Sequence, residues 1–136
     1  RGFRMTKMEI ARITINMVSQ YFDLDVSVKL VPSHDVQPDY HASLTEVCEG
    51  EYEINVNPIF VLNCTEEEWV EVISHEMVHV KQHENDGLSL EVRAHYFRGT
   101  WYDPEDDYWF NPWEIEARGY EQAFWSMYAN NWSKFV

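Results

Sequence analysis

Apolar residues recur at helical spacing near the start and again in the middle of the chain. The first stretch predicts a helix over residues 5–22. The clearest signal begins at Thr65, which forms a capping box with Glu68 that satisfies free backbone amides at the start of a helix. Further glutamates in this first turn suit the helix dipole. We therefore expect the second helix to continue to about Glu84.

A third helix is predicted near the C-terminus of the chain. Asn111 can cap it, Pro112 fits its first turn, and the pattern continues to about Asn130. The acidic and aromatic residues 101–110 before this helix are interpreted as a loop. Residues 88–97 are interpreted as a strand or an irregular segment.

Alternation of apolar and polar residues predicts a small sheet between the first two helices. Residues 26–31 have the pattern of a strand, and residues 35–40 that of a loop. Residues 41–48 and 52–56 are expected to form a hairpin around a Glu-Gly turn, and Pro58 should end its second arm.

The length and composition of the chain limit the number of domains and the size of the core. A chain of 136 residues with 45% hydrophobic residues suits one domain, residues 1–136, with a modest core. Its order of elements predicts an α+β fold. This fold would contain an N-terminal helix, a small and mostly antiparallel sheet, a central helix and a C-terminal helix.

The net charge and the absence of a signal peptide or membrane span disfavour some partners. The formal net charge of −14 disfavours nucleic acid and favours basic or neutral peptides. No stretch resembles a signal peptide or a membrane span, so we expect no membrane partner and a cytoplasmic location. Cys48 and Cys64 form no metal-binding pair, which favours a reduced setting. No oligomeric state is predicted.

Candidate chemistry is concentrated in the central helix, at His75-Glu76-Met77-Val78-His79. Histidines four residues apart lie on one helix face, one turn apart, so both imidazoles can bind one tetrahedral zinc ion. Glu76 projects to the neighbouring side, where it can take a proton from a water that zinc activates. This H-E-x-x-H spacing indicates a zinc-dependent hydrolase.

An apolar stripe on the same helix argues against two ordinary core histidines. The stripe contains Trp69, Ile73, Met77 and Val80. His75 and His79 lie on roughly the opposite side of the helical wheel, whereas core histidines would be expected within the stripe. We therefore interpret the pair as metal ligands.

A zinc site needs a third protein ligand, and His83 is too distant to supply it. His75 and His83 lie about 12 Å apart along the helix axis, whereas zinc–nitrogen bonds are about 2 Å long. The metzincin pattern requires glycine at the position of Gln82, so that class is excluded. His83 is interpreted as a rim or solvated histidine.

Two segments together resemble a known family. They are His75-Glu76-Met77-Val78-His79-Val80-Lys81-Gln82 and, after a loop rich in Trp and Tyr, Pro112-Trp113-Glu114-Ile115-Glu116-Ala117-Arg118. Over about residues 65–120 the chain is similar to small phage and bacterial zinc metallopeptidases, which are minimal zincins of a gluzincin-like type. The resemblance implies a minimal zincin fold, zinc as the cofactor and a peptide or protein as the substrate.

The resemblance also implies the remaining ligand. Zincins of the glutamate type take their third ligand from a Glu-x-x-Ala pattern in a later helix, and Glu114 with Ala117 matches that pattern. Glu116 is a rival, because it lies nearer the aromatic face of this helix, and both could instead be solvated glutamates. Related zincins often have Asp where this chain has Arg118, so support for a ligand histidine must come from elsewhere.

Peptide hydrolysis also needs a donor to the oxyanion, which zincins often supply from Tyr or His. Tyr108, Tyr102 and His95 precede the C-terminal helix, and Tyr108 is the first choice because it is nearest to Glu114 in sequence. Packing is the alternative role for each. Residues 52–57 are predicted to form the sheet edge at the cleft, to which an extended peptide could add.

The leading hypothesis is a zinc-dependent peptidase. Its metal ligands would be His75, His79 and Glu114, and its catalytic residues Glu76 and Tyr108. A zinc hydrolase with a substrate other than a peptide is a variant of the same hypothesis.

The alternative hypothesis is a non-catalytic phage or host-interaction module that retains a structural zinc site. The acidic, aromatic residues 101–113 would then be its working surface. A fourth ligand from His83, Glu116 or a cysteine would favour this module, whereas an open coordination position would favour catalysis.

Overall fold

The computed structural model of the protein describes residues 5–36 and 40–136. Its helices and strands are α1 (Lys7–Phe22), β1 (Ser27–Pro32), β2 (Ala42–Cys48), β3 (Glu51–Val56), α2 (Pro58–Asn63), α3 (Glu66–Asn85), β4 (Ser89–Leu90), β5 (His95–Phe97), β6 (Thr100–Tyr102) and α4 (Pro112–Asn131). Two short 3-10 turns cover Tyr108–Phe110 and Trp132–Phe135. The fold is therefore α+β, as expected from the pattern of apolar positions.

The three predicted helices are confirmed, and their caps explain where they begin. Thr6 and Glu9 form a capping box at α1, and Thr65 and Glu68 form a second one at α3. In each box the threonine oxygen accepts from a backbone N–H while the glutamate accepts from the threonine N–H, which satisfies two amides. Asn111 precedes α4 without a side-chain cap bond, and Pro112 occupies the first turn.

The main sheet is mixed, where a mostly antiparallel one was expected. β3 lies in the centre, antiparallel to β2 and parallel to β1. Ile54 of β3 faces Leu30 of β1 and Leu44 of β2 in the two registers. The hairpin of β2 and β3 is as predicted, but local alternation does not specify which arm accepts a third strand or in which direction.

The position of β3 corrects one expectation. Residues 52–57 were predicted to form the sheet edge at the cleft, but β3 is hydrogen-bonded on both sides and has no free edge. The alternate residues Tyr52, Ile54 and Val56 are almost fully buried because they pack under the helices. The two edges of this sheet are β1 and β2.

Two regions contain more regular structure than the sequence indicated. Part of the stretch 101–110, interpreted as a loop, is strand β6, which pairs with β5 and β4 in a second, antiparallel sheet. α2 was not predicted, because Pro58 was taken only as the end of a strand. Pro58 both ends β3 and begins a helix, with Asn57 as its cap. Of the expected loop 35–40, residues 37–39 with Pro38 lie outside the described residues.

α3 lies at the centre of the molecule. α1, α4 and the main sheet all pack against it. The predicted stripe of Trp69, Ile73, Met77 and Val80 is fully buried. Val70, Ser74, Val78 and Gln82 are fully buried as well, so α3 is enclosed on more than one face. The helix that carries the H-E-x-x-H motif is therefore also the main core element.

A second, smaller core lies where the β4–β6 sheet meets the start of α4. Trp113 is its largest member and is 2% exposed. The rings of His95, Phe97 and Tyr102 pack edge-on against it, with centroids 5.4–5.8 Å away. This small sheet therefore holds the first turn of α4 in place.

The remaining observations on the fold concern the two cysteines and membrane-spanning helices. Cys48 and Cys64 are both free thiols. Across residues 5–36 and 40–136, no helix is long and apolar enough to cross a membrane.

The central position of α3 predicts a large difference between two isoleucine truncations. We expect Ile73→Ala to lower the free energy of unfolding by about 2–5 kcal/mol, because it leaves a cavity in a fully buried site. Ile115→Ala is the matched control on α4, where the side chain is 51% exposed, and should change it by less than about 0.5 kcal/mol. Urea titrations followed by circular dichroism measure both, and equal losses would contradict the central placement of α3.

Candidate metal centre

Two histidines of α3 and one glutamate of α4 converge where these helices pack together. His75 Nε2 lies 3.1 Å from Glu114 Oε1, His79 Nε2 lies 3.1 Å from Glu114 Oε2, and the two Nε2 atoms are 3.2 Å apart. Within residues 5–36 and 40–136, this is the one group of three His, Cys, Asp or Glu side chains compact enough to hold a metal ion.

The local structure explains this convergence. His75 and His79 are one turn apart on α3, so their rings lie on one face, with centroids 4.8 Å apart. Glu114 lies in the first turn of α4, where unpaired backbone N–H groups favour a negative charge. Its carboxylate is only 4% exposed and is aimed across the helix interface at both rings.

Glu121 of α4 holds the first histidine from behind. Its Oε2 lies 2.7 Å from His75 Nδ1, so that nitrogen donates and His75 Nε2 faces the cluster. Glu121 lies two turns after Glu114 on the same helix face, and the sequence interpretation missed it. The signal that could have found it is this seven-residue spacing. Glu121 therefore supplies the hydrogen-bond support for a ligand histidine that Arg118 does not supply.

Gln82 holds the second histidine in the same way. Its Nε2 donates to Trp113 O and to Glu116 Oε1, both at 2.9 Å, so the orientation of the amide is determined. Gln82 Oε1 therefore faces His79 Nδ1 at 2.7 Å and accepts a hydrogen bond from it. As a result His79 also carries its proton on Nδ1. Gln82, which lies where the metzincin pattern requires glycine, therefore supports the candidate ligand His79.

The donor set fits a zinc ion. When both imidazoles are neutral and carry their protons on Nδ1, two lone pairs and a carboxylate face one another at 3.1–3.2 Å, and a metal ion or protons between them remove the mutual repulsion. A tetrahedral zinc with bonds of about 2.0–2.1 Å has ligand atoms about 3.3 Å apart. Two imidazoles and one carboxylate are ligands that zinc accepts.

The electrostatics of the cluster favour positive charge. Burial alone would lower the pKa of His75, but hydrogen bonds with Glu114 and Glu121 raise it to about 10. Glu114 likewise raises the pKa of His79 against the effect of burial. Burial would raise the pKa of Glu114, but both histidines lower it to about 2. The site therefore attracts a proton or a metal ion, and metal binding has to displace protons from the imidazoles.

Glu116, the rival ligand, lies outside the cluster. Besides its bond with Gln82, it forms salt bridges with Lys81 Nζ at 3.2 Å and with Arg98 Nη2 at 2.6 Å. Asp86 is paired with the same two cations. Burial would raise the pKa of Glu116, but these partners lower it, so Glu116 is ionised. It is linked to His79 through Gln82. The structure brings Glu114, and not Glu116, to the two histidines.

Glu76 lies beside the three candidate ligands without joining them. Its side chain is 7% exposed, and it borders two hollows that meet at the cluster. Burial raises the pKa of Glu76 above its ordinary value, although the two histidines act in the opposite direction. A carboxylate of raised pKa at the opening of a metal site is suited to accept and release a proton.

Tyr108 also reaches this opening. It borders both hollows, and burial, then the charge of Glu114, raises the pKa of the phenol. Its ring lies 5.6 Å from that of Tyr40. The other two candidate donors, Tyr102 and His95, pack against Trp113 away from the cluster. Tyr40, next to β2, is a cleft residue that the sequence interpretation missed.

The last two residues singled out from the sequence lie around the cluster. His83 lies one turn beyond His79, where it is half-buried at the rim of one hollow, in keeping with its interpretation as a rim residue. Arg118 stacks on the ring of Trp109 at 3.8 Å and donates to Trp109 O. It therefore positions the 3-10 turn that carries Tyr108, and it does not contact the histidines.

Comparison with known proteins returns no match. No family model matches the chain, and neither the curated proteins nor the solved structures contain a match.

Two glutamates on one helix provide a matched test of the metal ligands. We expect the protein to bind one zinc ion and Glu114→Gln to weaken its affinity at least about 100-fold, because the buried carboxylate touches both histidines. Glu116→Gln should weaken it no more than about 10-fold, since Glu116 acts only through Gln82. Competition with a zinc chelator measures both affinities. Full affinity in Glu114→Gln would contradict the assignment.

Proposed function

We propose that the protein is a zinc-dependent hydrolase of the minimal zincin type and that its substrate is a peptide. The observation that carries the proposal is the group of His75, His79 and Glu114, with the buried carboxylate of Glu76 beside it in an open cleft. A helix with H-E-x-x-H, a glutamate from a later helix and a sheet edge at the cleft are the parts that such a fold requires.

The number of candidate ligands supports catalysis over a structural role. Structural zinc sites are closed by four protein ligands, whereas catalytic sites keep a position open. Within the described part of the chain, the group has three members. His83 hydrogen-bonds to Leu88 O, and Glu116 is held in salt bridges, so neither closes the site. The alternative of a structural zinc in an interaction module lacks this fourth ligand.

The residues around the cluster have separate roles in hydrolysis. A zinc ion held by the three ligands would lower the pKa of a water molecule and polarise the scissile carbonyl. Glu76 takes the proton that the attacking water loses and delivers it to the leaving amine nitrogen. Burial raises the pKa of Glu76, which makes its carboxylate a stronger base for the first transfer.

Tyr108 is the donor that faces the carbonyl oxygen. Burial and the charge of Glu114 raise the pKa of its phenol, so it keeps its proton and can donate to the negative charge that develops on the oxygen. The turn that carries it is held by Arg118 on Trp109. Tyr108 is 45% exposed, as a group at the mouth of a cleft must be.

β2 supports the assignment of an extended peptide as substrate. It is an edge of the main sheet, and its first residue, Ala42, borders both hollows, as does Tyr40 before it. An extended chain can pair with such an edge through backbone hydrogen bonds, which position a scissile bond without a deep side-chain pocket. The edge lies on β2 and not on residues 52–57.

Removal of the Glu76 carboxylate tests the mechanism. Glu76→Gln should bind zinc as the wild type does but lower kcat for a peptide or casein about 10²- to 10⁴-fold, because it removes the proton acceptor. Glu67→Gln, on an exposed position of the same helix, is the control and should retain activity. Zinc content and cleavage are measured on the same samples. A Glu76→Gln protein that binds zinc and cleaves as fast as the wild type would refute the mechanism.

Tyr108→Phe tests the oxyanion donor. We expect kcat to fall about 100-fold with little change in KM, because the hydroxyl acts mainly on charge that develops in the transition state. Tyr102→Phe is the matched control, since its ring packs on Trp113 away from the cleft. Steady-state kinetics on a fluorogenic peptide separate kcat from KM. A rise in KM alone would assign Tyr108 to substrate binding.

A further inference from the structure

One of the two hollows at the candidate metal centre leads toward the end of α3. Its volume is about 250 Å³, smaller than the roughly 300–1,000 Å³ of sites for drug-sized ligands. Glu76, His79 and Glu114 border it on the metal side. Its remaining wall is formed by Ala42, Leu44, Leu88 and Leu90 and by four residues with polar groups, Tyr40, Ser43, His83 and Tyr108. The hollow therefore has the size and the largely apolar wall that suit a single side chain.

His83 contributes one of the polar groups of this wall. Its Nδ1 lies 3.0 Å from Leu88 O, and because a carbonyl oxygen only accepts, Nδ1 carries the proton. Burial lowers the pKa of His83, which favours the neutral ring. The second nitrogen, Nε2, is then a hydrogen-bond acceptor, and in the described residues no side chain or backbone group donates to it. A half-buried residue with an accepting nitrogen thus borders a hollow with a largely apolar wall.

We propose that this hollow binds a tyrosine side chain of the substrate, with the phenol O–H donating to His83 Nε2. The inference rests on the proposed peptidase function and names the substrate class of that site. The ring of a tyrosine would lie against Leu44, Leu88 and Leu90. A phenylalanine would leave the acceptor unpaired, and an aspartate or glutamate would be repelled by Glu76 and the acceptor. A lysine would have to bury its charge against leucines.

The direction of β2 indicates on which side of the scissile bond the tyrosine lies. β2 runs from the hollow that His41 borders to the hollow that Leu44 borders. A peptide that pairs antiparallel with β2 runs the opposite way, and antiparallel pairing is the slightly more stable arrangement. The residues before the scissile bond therefore lie next to Leu44 and His83. The tyrosine is placed on the amino-terminal side of the bond that is cut.

The test compares two peptides that differ only in the residue before the scissile bond, Tyr or Phe. With the zinc-loaded wild type, kcat/KM for the Tyr peptide should exceed that for the Phe peptide about 5- to 10-fold, the value of one neutral hydrogen bond. In His83→Leu this ratio should fall to about one. His34→Leu, at an exposed histidine, is the control and should keep the ratio. A ratio near one in the wild type, or an unchanged ratio in His83→Leu, overturns the inference.

A second variant separates recognition from loss of structure. His83→Asn keeps a short amide that can donate to Leu88 O but places no acceptor at the Nε2 position. It should lose the Tyr preference while its urea midpoint stays near that of the wild type. A Tyr preference retained in His83→Asn would count against the role of Nε2.

Direct binding distinguishes failure of the inference from failure of the proposed function. N-acetyl-tyrosinamide and N-acetyl-phenylalaninamide are titrated into zinc-loaded Glu76→Gln protein and followed by the ¹⁵N signals of the histidine rings. Tighter binding of the tyrosine compound that disappears with His83→Leu supports the hollow even if no peptide is cleaved. Cleavage of peptides without a Tyr preference refutes the hollow and leaves the hydrolase. Neither cleavage nor a difference in binding refutes both.

Discussion

The packing of α3 against α4 has to enclose two imidazoles and a carboxylate within about 3 Å of one another. Polar groups removed from water are costly unless they are paired, so each of the three needs partners in the same interface. Glu121 satisfies His75, and Gln82 satisfies His79. The two Nε2 atoms and the Glu114 carboxylate are left facing one another. The hydrogen bonds with Glu121 and Gln82 lower the cost of burying the two imidazoles. They also orient both Nε2 atoms toward the Glu114 carboxylate.

Behind His79 this network extends to the protein surface. Gln82 is bound to Glu116, and Glu116 is held by Lys81 and Arg98. Arg98 lies in the turn between β5 and β6 with a positive φ of 52°. The second sheet is thereby joined to both helices of the site by charge, and its rings enclose Trp113 at the start of α4. A sheet of only eight residues therefore contributes to the position of Glu114.

The opposite side of the cluster is open and has a different composition. Tyr40 and Tyr108 lie at the mouth, and both are partly exposed. Buried, mutually bonded groups on one side and accessible hydroxyls on the other are what a site needs if it is to hold its ligands still and admit a substrate. His83 belongs to this open side, because it borders the hollow that extends from the cluster.

Local signals in the sequence were enough for the three long helices α1, α3 and α4, the hairpin and the spacing of His75, Glu76 and His79. Capping boxes, apolar periodicity and the one-turn spacing of ligands involve residues that are neighbours along the chain. Other features depended on contacts between segments far apart in the chain. The parallel pairing of β1, the central position of β3, the presence of Glu114 rather than Glu116 at the histidines, and the support from Glu121 and Gln82 all belong to this group. Glu114 and Glu116 have the same chemistry and differ by two positions on one helix, so only the packing of α4 against α3 determines which carboxylate reaches the imidazoles.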